Sequence, residues 1–207
     1  MGPMFYALIK RLFDIVAGLI GVVVLVPVSL IVKIAYMLSG DFHPIFFVQP
    51  RIGKNGKSFN LVKYRSMVPN AEEKLKELME EDEKIRDEYT LTKKLVKDPR
   101  VTKVGKVIRR WSLDELPQLI NVLTGSMSIV GNRPYLLSEK REMRRYYEDI
   151  IRVKPGITGL WQISGHNHVP FESRLELEST YADLACLSLD AHIILRTITV
   201  QFGGGNS

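Results

Sequence analysis

Only one cysteine, Cys186, occurs in the 207 residues of this sequence. A single thiol excludes an intramolecular disulfide and agrees with a reducing compartment, where a lone cysteine reads most simply as core filler. Histidine is also scarce. His43, His166, His168 and His192 are the four present, and His166 and His168, two apart, lack a second ligand pair at zinc spacing. There is no Walker loop and no dinucleotide fingerprint, and the Gly-x-Ser-x-Gly nucleophile elbow is missing too. No internal repeat is visible, and low complexity is confined to Gly203-Gly204-Gly205.

What is present is an ordinary globular mixture, 45% hydrophobic and 25% charged, with a formal charge of +6. The length suits one compact domain with an appendage. The charge calls for an anionic partner: nucleic acid, a phosphorylated small molecule or an acidic membrane face. Nucleic acid is disfavoured, because aromatic residues are not interleaved with the basic ones. A membrane-anchored scaffold whose basic face binds acidic lipids is the non-catalytic alternative.

One long apolar run defines the appendage. Ile15 to Val32 is uncharged, which reaches the length of a membrane segment. Lys10 and Arg11 precede it and Lys33 follows, so the positive-inside tendency holds both ends on the cytoplasmic side. Pro27 lies within the run, where proline removes a helical hydrogen bond and bends the chain. The arm from Ile15 to Val26 extends only about 18 Å as a helix, against a hydrocarbon core of ~30 Å. The expectation is a re-entrant helix over 1–40, broken near Pro27, which enters and leaves on one face. A full span kinked at Pro27 is the alternative. A cleaved signal peptide and a buried core helix fit less well, since no small-residue cleavage site follows and Val22 to Val26 is apolar all round.

Residues 41–207 are the expected cytoplasmic body, of α/β or α+β class, with a small sheet and several amphipathic helices at the membrane surface. Ile45 to Gln49, bounded by Pro44 and Pro50, reads as an edge strand. Asn55-Gly56 and the following Phe59 to Tyr64 complete a hairpin. Lys63, Arg65 and Ser66 close that unit with donors suited to phosphate. From Pro69 to about Lys94 alternating charges predict one solvent-facing helix, striped by Leu75, Leu78, Met79 and Ile85, within a charged insertion of about 69–97. Its two roles left open are covering the site and pairing two chains as a homodimer. Gly125 is a helix stop. Ser128 to Val130 is a short strand leading into Gly131-Asn132-Arg133-Pro134. Lys140 to Arg145 reads as a basic helical face, and Pro155-Gly156-Ile157-Thr158-Gly159 as a rigid turn. Trp161 suits base stacking or membrane anchoring. Leu189, Ile193, Ile194, Ile198 and Phe202 form an amphipathic helix, core or interfacial.

The chemistry concentrates at Ser112-Leu113-Asp114-Glu115-Leu116-Pro117-Gln118. Two adjacent carboxylates follow Lys103, Lys106, Arg109 and Arg110, an arrangement suited to an anionic, metal-bound substrate. The same letters also spell a capping box, Ser112 with Glu115, ahead of an apolar stripe of Leu116, Leu119, Ile120 and Leu123.

Five ordered segments together resemble the monotopic phosphoglycosyl transferases, the bacterial sugar transferase family. They are the apolar segment with Pro27, Lys63 to Met67, Ile108 to Gln118, Gly131 to Pro134 and Pro155 to Gly159, within a likeness running from Lys10 to about Thr199. The resemblance implies transfer of a phosphosugar from a UDP-sugar to undecaprenyl phosphate, with release of UMP, at the cytoplasmic face of a bacterial inner membrane. It implies Asp114 as nucleophile and Mg²⁺ held by Glu115 with Asp114. Arg109, Arg133, Lys63 and Arg65 are the phosphate-binding candidates. The Trp161-Gln162-Ile163-Ser164-Gly165 stretch is closest to hexose-phosphate enzymes that use UDP-galactose or UDP-glucose. The chain departs from the family pattern at Val26 (commonly serine), at Asn132 (commonly proline) and at His166 (commonly arginine).

Overall fold

The computed structural model describes residues 2–92, 95–164 and 169–202. The expectations placed on Gly165, His166, Asn167 and His168 lie outside the described residues. The long helix α1 (Pro3–Leu38) starts with proline in its first turn and is helical on both sides of Pro27 without interruption, so the break expected there does not form: the proline costs one backbone hydrogen bond but does not end the helix. At 36 residues it is about 54 Å long.

The helix buries a single stripe: Asp14, Gly18, Gly21, Leu25, Val32 and Tyr36. Their spacings of three, four and seven mark one helical face. Leu12, Val16, Leu19, Ile20, Val23, Leu30 and Ile31 remain exposed. Only 22% of its most apolar 18-residue window is buried, so α1 is not a core helix, although it is long and apolar enough to cross a membrane.

The hairpin forms as expected but is longer. Strands β1 (Phe46–Ile52) and β2 (Ser58–Tyr64) pair antiparallel, with Asn55 and Gly56 both in the left-handed region that such a tight turn requires. Pro50, expected to end the first strand, lies inside it opposite Asn60. A two-stranded sheet is all edge, so a proline without an N–H is tolerated there.

The charged stretch is two helices, α2 (Ala71–Glu81) and α3 (Glu83–Thr92). Asp82 divides them: its backbone is extended and its carboxylate accepts the Lys84 N–H at 2.8 Å, capping the second helix. Helix α4 (Lys103–Arg110) is capped by Thr102, whose hydroxyl accepts the Gly105 N–H at 2.8 Å. Helix α5 (Gln118–Thr124) ends at Gly125, left-handed at φ 87°. It crosses α1 closely, because Gly18 and Gly21 leave room for Leu123 and Leu119. Arg11 locks that crossing by donating to the Val122 and Leu123 carbonyls, both at 2.8 Å.

Strand β3 (Ser128–Val130) pairs in parallel with β4 (Gly156–Thr158). The Pro155 to Gly159 segment is therefore a strand where a plain turn was expected. Its glycines permit the pairing: a Cβ on Gly156 would stand 2.1 Å from the Gly131 nitrogen, and one on Gly159 2.2 Å from the Gly131 carbonyl oxygen. Asp14 of α1, 2% exposed, accepts from the Ser128 hydroxyl and the Ile129 N–H at 3.0 and 2.9 Å.

Between these strands the basic stretch is not one helical face. It consists of two 3₁₀ turns, Leu137–Arg141 and Arg144–Tyr146, leading into α6 (Tyr147–Ile150). Met143 plugs the core beside Tyr135 and Ile150, which interrupts the run of exposed cations.

Helices α7 (Leu160–Ile163), α8 (Phe171–Leu184) and α9 (Leu187–Phe202) complete the body. Helix α9 is both core and surface: Ile193 is buried with Leu189 and Ile194 against it, while Leu195 and Ile198 are exposed. Cys186, expected in the core, is exposed, because it lies in the short link between α8 and α9. Trp161, expected on a surface, is 2% exposed. It is held between the guanidinium groups of Arg174 and Arg133, at 4.5 and 5.7 Å from its ring.

Candidate active site

Asp114 and Glu115 do not begin a helix. Ser112 is left-handed, at φ 51°, and makes no side-chain cap, whereas a capping serine needs an extended backbone. The chain leaves α4 through this strained residue, makes the 3₁₀ turn Leu113–Glu115 and enters α5 only at Gln118. The capping-box reading therefore fails. Non-glycine residues held in this backbone region concentrate at functional sites. The predicted stripe holds: Leu116 and Ile120 pack on the Leu25, Tyr36, Tyr64 and Ile108 cluster, and Leu119 and Leu123 lie against Gly21 and Gly18 of α1.

Glu115 lines a cleft enclosing about 540 Å³ open to solvent, together with Arg51, Lys63, Gln118, Arg133, Trp161 and Gln162. Lys63 pairs with Glu115 at 3.0 Å. Asp114 adjoins the cleft, half-buried. Burial raises its carboxyl above the ordinary range, the neighbouring Glu115 pushes the same way, and Lys63 and Arg109 pull against them. Arg109 is exposed and anchored through Nε to the Ser66 hydroxyl at 2.8 Å.

Of the six residues expected from the sequence, Asp114, Glu115, Lys63 and Arg133 meet at this site, and Arg109 stands within electrostatic reach. Arg65 does not join them. Strand β2 ends at Tyr64, so strand alternation no longer carries Arg65 to the face of Lys63. Instead its guanidinium pairs with Asp41 at 2.9 Å, donates to the Pro44 carbonyl at 2.8 Å and lies 4.3 Å from the Tyr36 ring. It joins the end of α1 to the hairpin.

The structure adds Arg51, Gln118 and Gln162. Arg51 was hidden because the first strand was ended at Pro50. Once β1 is continued, the register places Gln49 and Arg51 opposite Leu61 and Phe59, on the face that carries Lys63. Behind Trp161 stands Glu178, 1% exposed, which accepts the Arg133 N–H at 2.7 Å and so holds the Gly131 to Pro134 loop.

Among the described residues no group of three or more histidine, cysteine or acidic side chains could hold a metal ion. That excludes an all-protein cage there, but not magnesium. Magnesium commonly takes one or two carboxylates and fills its other positions with water and substrate phosphate. Asp114 and Glu115 supply that donor set, and their mutual repulsion is what a divalent ion would relieve.

The chain matches known proteins along nearly its whole length. The model of the bacterial sugar transferase family covers residues 5–204. The undecaprenyl-phosphate galactose phosphotransferase of Salmonella typhimurium is 42% identical over 198 residues, spanning 91% of this chain and 40% of that protein. The exopolysaccharide production protein ExoY of Sinorhizobium fredii is 40% identical over 189 residues, spanning 91% of this chain and 83% of the relative. The UDP-glucose:undecaprenyl-phosphate glucose-1-phosphate transferase of Escherichia coli is 38% identical over 203 residues, spanning 94% and 40%. The chain thus spans about two fifths of the length of two of these relatives and most of the third. With four of its five family segments contributing residues to one cleft, the chain belongs to the bacterial sugar transferase family.

Proposed function

We propose that this protein transfers a phosphosugar from a UDP-sugar to undecaprenyl phosphate, as an early membrane step of polysaccharide assembly. The observation that carries the reading is the cleft in which Glu115, Lys63 and Arg133 converge beside the half-buried Asp114. An Asp114 oxygen attacks the sugar-linked phosphorus, the bond to the UMP oxygen breaks, and UMP leaves. An oxygen of the lipid phosphate then attacks the same phosphorus, restoring the carboxylate and forming the lipid diphosphosugar. Splitting the displacement lets two anions react in turn without meeting. Mg²⁺, when bound at Asp114 and Glu115, supplies neutralisation of the diphosphate. The names of the relatives favour UDP-galactose or UDP-glucose as donor.

The membrane reading draws on α1. Its first part is tied to α9 by Lys10 and Asp190 at 2.6 Å, and its last turn to the residue just after β2 by the Tyr36 hydroxyl, which donates to the Arg65 carbonyl. A helix fastened near both ends to one basic body supports a monotopic arrangement at the cytoplasmic face of a bacterial inner membrane, while its continuous course through Pro27 lends the re-entrant bend no support of its own. Helix α4 and the residue that ends it add support, presenting Val107 and Trp111 (59% exposed each) among Lys103, Lys106 and Arg110. Cysteines placed at Lys10 and Lys33 should both be labelled from the cytoplasmic side by an impermeant reagent. Labelling from opposite sides would identify a full span.

The activity test is purified protein in detergent with Mg²⁺, undecaprenyl phosphate and a panel of UDP-sugars, scored by UMP release. No UMP from any sugar would sink the reading. A pH profile follows from the electrostatics. Asp114 attacks as the carboxylate, and its carboxyl is held above the usual range in the metal-free site, so the acid limb of kcat/KM at sub-saturating Mg²⁺ should lie above an ordinary aspartate and move down as Mg²⁺ saturates. Lys63 pulls that value down, so Lys63→Ala should move the limb to higher pH. A limb moving to lower pH would remove Lys63 from the electrostatics of Asp114.

A further inference from the structure

We infer that Arg51 and Arg133 form a two-guanidinium clamp for a phosphate group in the cleft, with Arg51 supplying the half that the dyad and loop motifs do not contain. The inference deepens the transferase reading and rests on it for the identity of the phosphate. Both side chains line the cleft beside Lys63 and Glu115. Their positions are built in, not incidental. Arg51 donates from one terminal nitrogen to the Pro134 carbonyl at 2.9 Å and from the other to Gln49 Oε1 at 2.7 Å. The Ile52 N–H donates to the Tyr135 carbonyl at 2.9 Å, so the end of β1 and the Arg133 loop are stitched together. Glu178 fastens the same loop from behind.

Arg65 pairs with Asp41, Arg100 with Asp98 and Arg152 with Asp149 and Asp183. Among the described residues neither Arg51 nor Arg133 has a direct ion-pair partner, and Glu139 and Glu115 act on Arg51 only through space. The Nε of each is buried without a hydrogen-bond partner, and so is that of Arg174, 3% exposed behind Trp161. Burial and the charge of Arg133 together lower Arg51 to about 10. Two like charges held close and partly desolvated, each with its Nε unpartnered, are costly unless an anion completes them. A guanidinium presents a planar fork that matches phosphate oxygens in a bidentate fashion.

The test is isothermal titration of the full chain in detergent with Mg²⁺, using UDP, inorganic pyrophosphate and undecaprenyl phosphate as separate probes. Arg51→Gln should weaken binding roughly ten-fold or more, the loss expected for a charge-assisted hydrogen bond. Arg51→Lys, which keeps a charge but not the fork, should fall between, and Arg141→Gln, exposed and outside the cleft, should bind as the parent does. Weakening for UDP alone assigns the clamp to the nucleotide, for undecaprenyl phosphate alone to the lipid, and for both to a shared phosphate position. Parent protein that binds pyrophosphate but not UDP, with Arg51→Gln weakened, keeps the clamp and removes the nucleotide donor. Equal binding by Arg51→Gln and the parent overturns the clamp while leaving the transferase reading intact. Failure of the parent to bind any probe overturns both. Where Arg51→Gln lowers the melting temperature, Arg51→Lys decides: weaker binding at unchanged melting supports the clamp, and undiminished binding overturns it.

Discussion

Asp114→Asn is expected to abolish UMP release while leaving the protein folded and no less stable. The amide has nearly the shape of the carboxylate but cannot form the covalent phosphosugar bond. Loss of a nucleophile typically costs on the order of 10⁴-fold or more in turnover. Stability should move the other way. In the folded chain, burial and Glu115 disfavour ionised Asp114, so its carboxyl keeps a proton to higher pH than in the unfolded chain. Native protein therefore binds more protons across that window, and stability falls as pH rises from the ordinary aspartate value through the raised one. Above the raised value the whole of that cost is present in the parent, and it is absent from the amide at any pH. Thermal melting at pH 7 beside a UMP assay checks both halves. Retained UMP release removes Asp114 as nucleophile, and a lower melting temperature contradicts the electrostatic strain.

Gly105→Ala should produce the largest loss of stability from a single added methyl group. A Cβ there would stand 1.9 Å from the Ser66 carbonyl oxygen, a backbone atom that cannot swing aside as a side chain can. Helix α4 rests directly on the end of β2 at this point, and the Thr102 N–H donates to the same Ser66 carbonyl at 3.0 Å. Overpacking commonly costs about 1–3 kcal/mol, and for a chain of this size each kcal/mol lowers Tm by about 2–4 °C. The damage should reach the site. Arg109 is anchored to Ser66, and the dyad turn follows α4 directly, so displacing α4 moves both. Calorimetry and the UMP assay on Gly105→Ala measure the two effects. A variant melting with the parent would show that α4 can slide without cost.

The dyad was legible because adjacent carboxylates after a basic stretch are a local pattern, and local patterns survive folding. Its geometry was not. Ser112-x-x-Glu115 has the letters of a cap, yet the sharp exit from α4 puts Ser112 in the left-handed region and spends the segment on a 3₁₀ turn. Lys63 and Arg65 looked equivalent because strand alternation was assumed to continue. Arg65 lies one position past the end of β2, and that suffices to send it to Asp41. Arg51 was lost for the complementary reason: a proline read as a strand end proved tolerable on an edge. Trp161 and Cys186 exchanged places, since burial of a single aromatic or thiol depends on what packs around it and not on its type.

The sequence by itself determined the apolar helix, the hairpin, the charged insertion, the glycine stop at Gly125 and the acidic pair, along with the ordered segments that signal the family. Each rests on hydrophobic periodicity, turn chemistry or near-neighbour charge, which act over a few residues. The tertiary structure decided which cations face the acidic pair, that the Pro155 to Gly159 segment is a strand against β3, and that α1 lies along the body from α9 to β2. Those outcomes depend on contacts between residues far apart in the chain, such as Arg11 with α5, Asp14 with β3 and Gly131 with Gly156. Their energies come from close packing and paired backbone groups that form only once the elements have met.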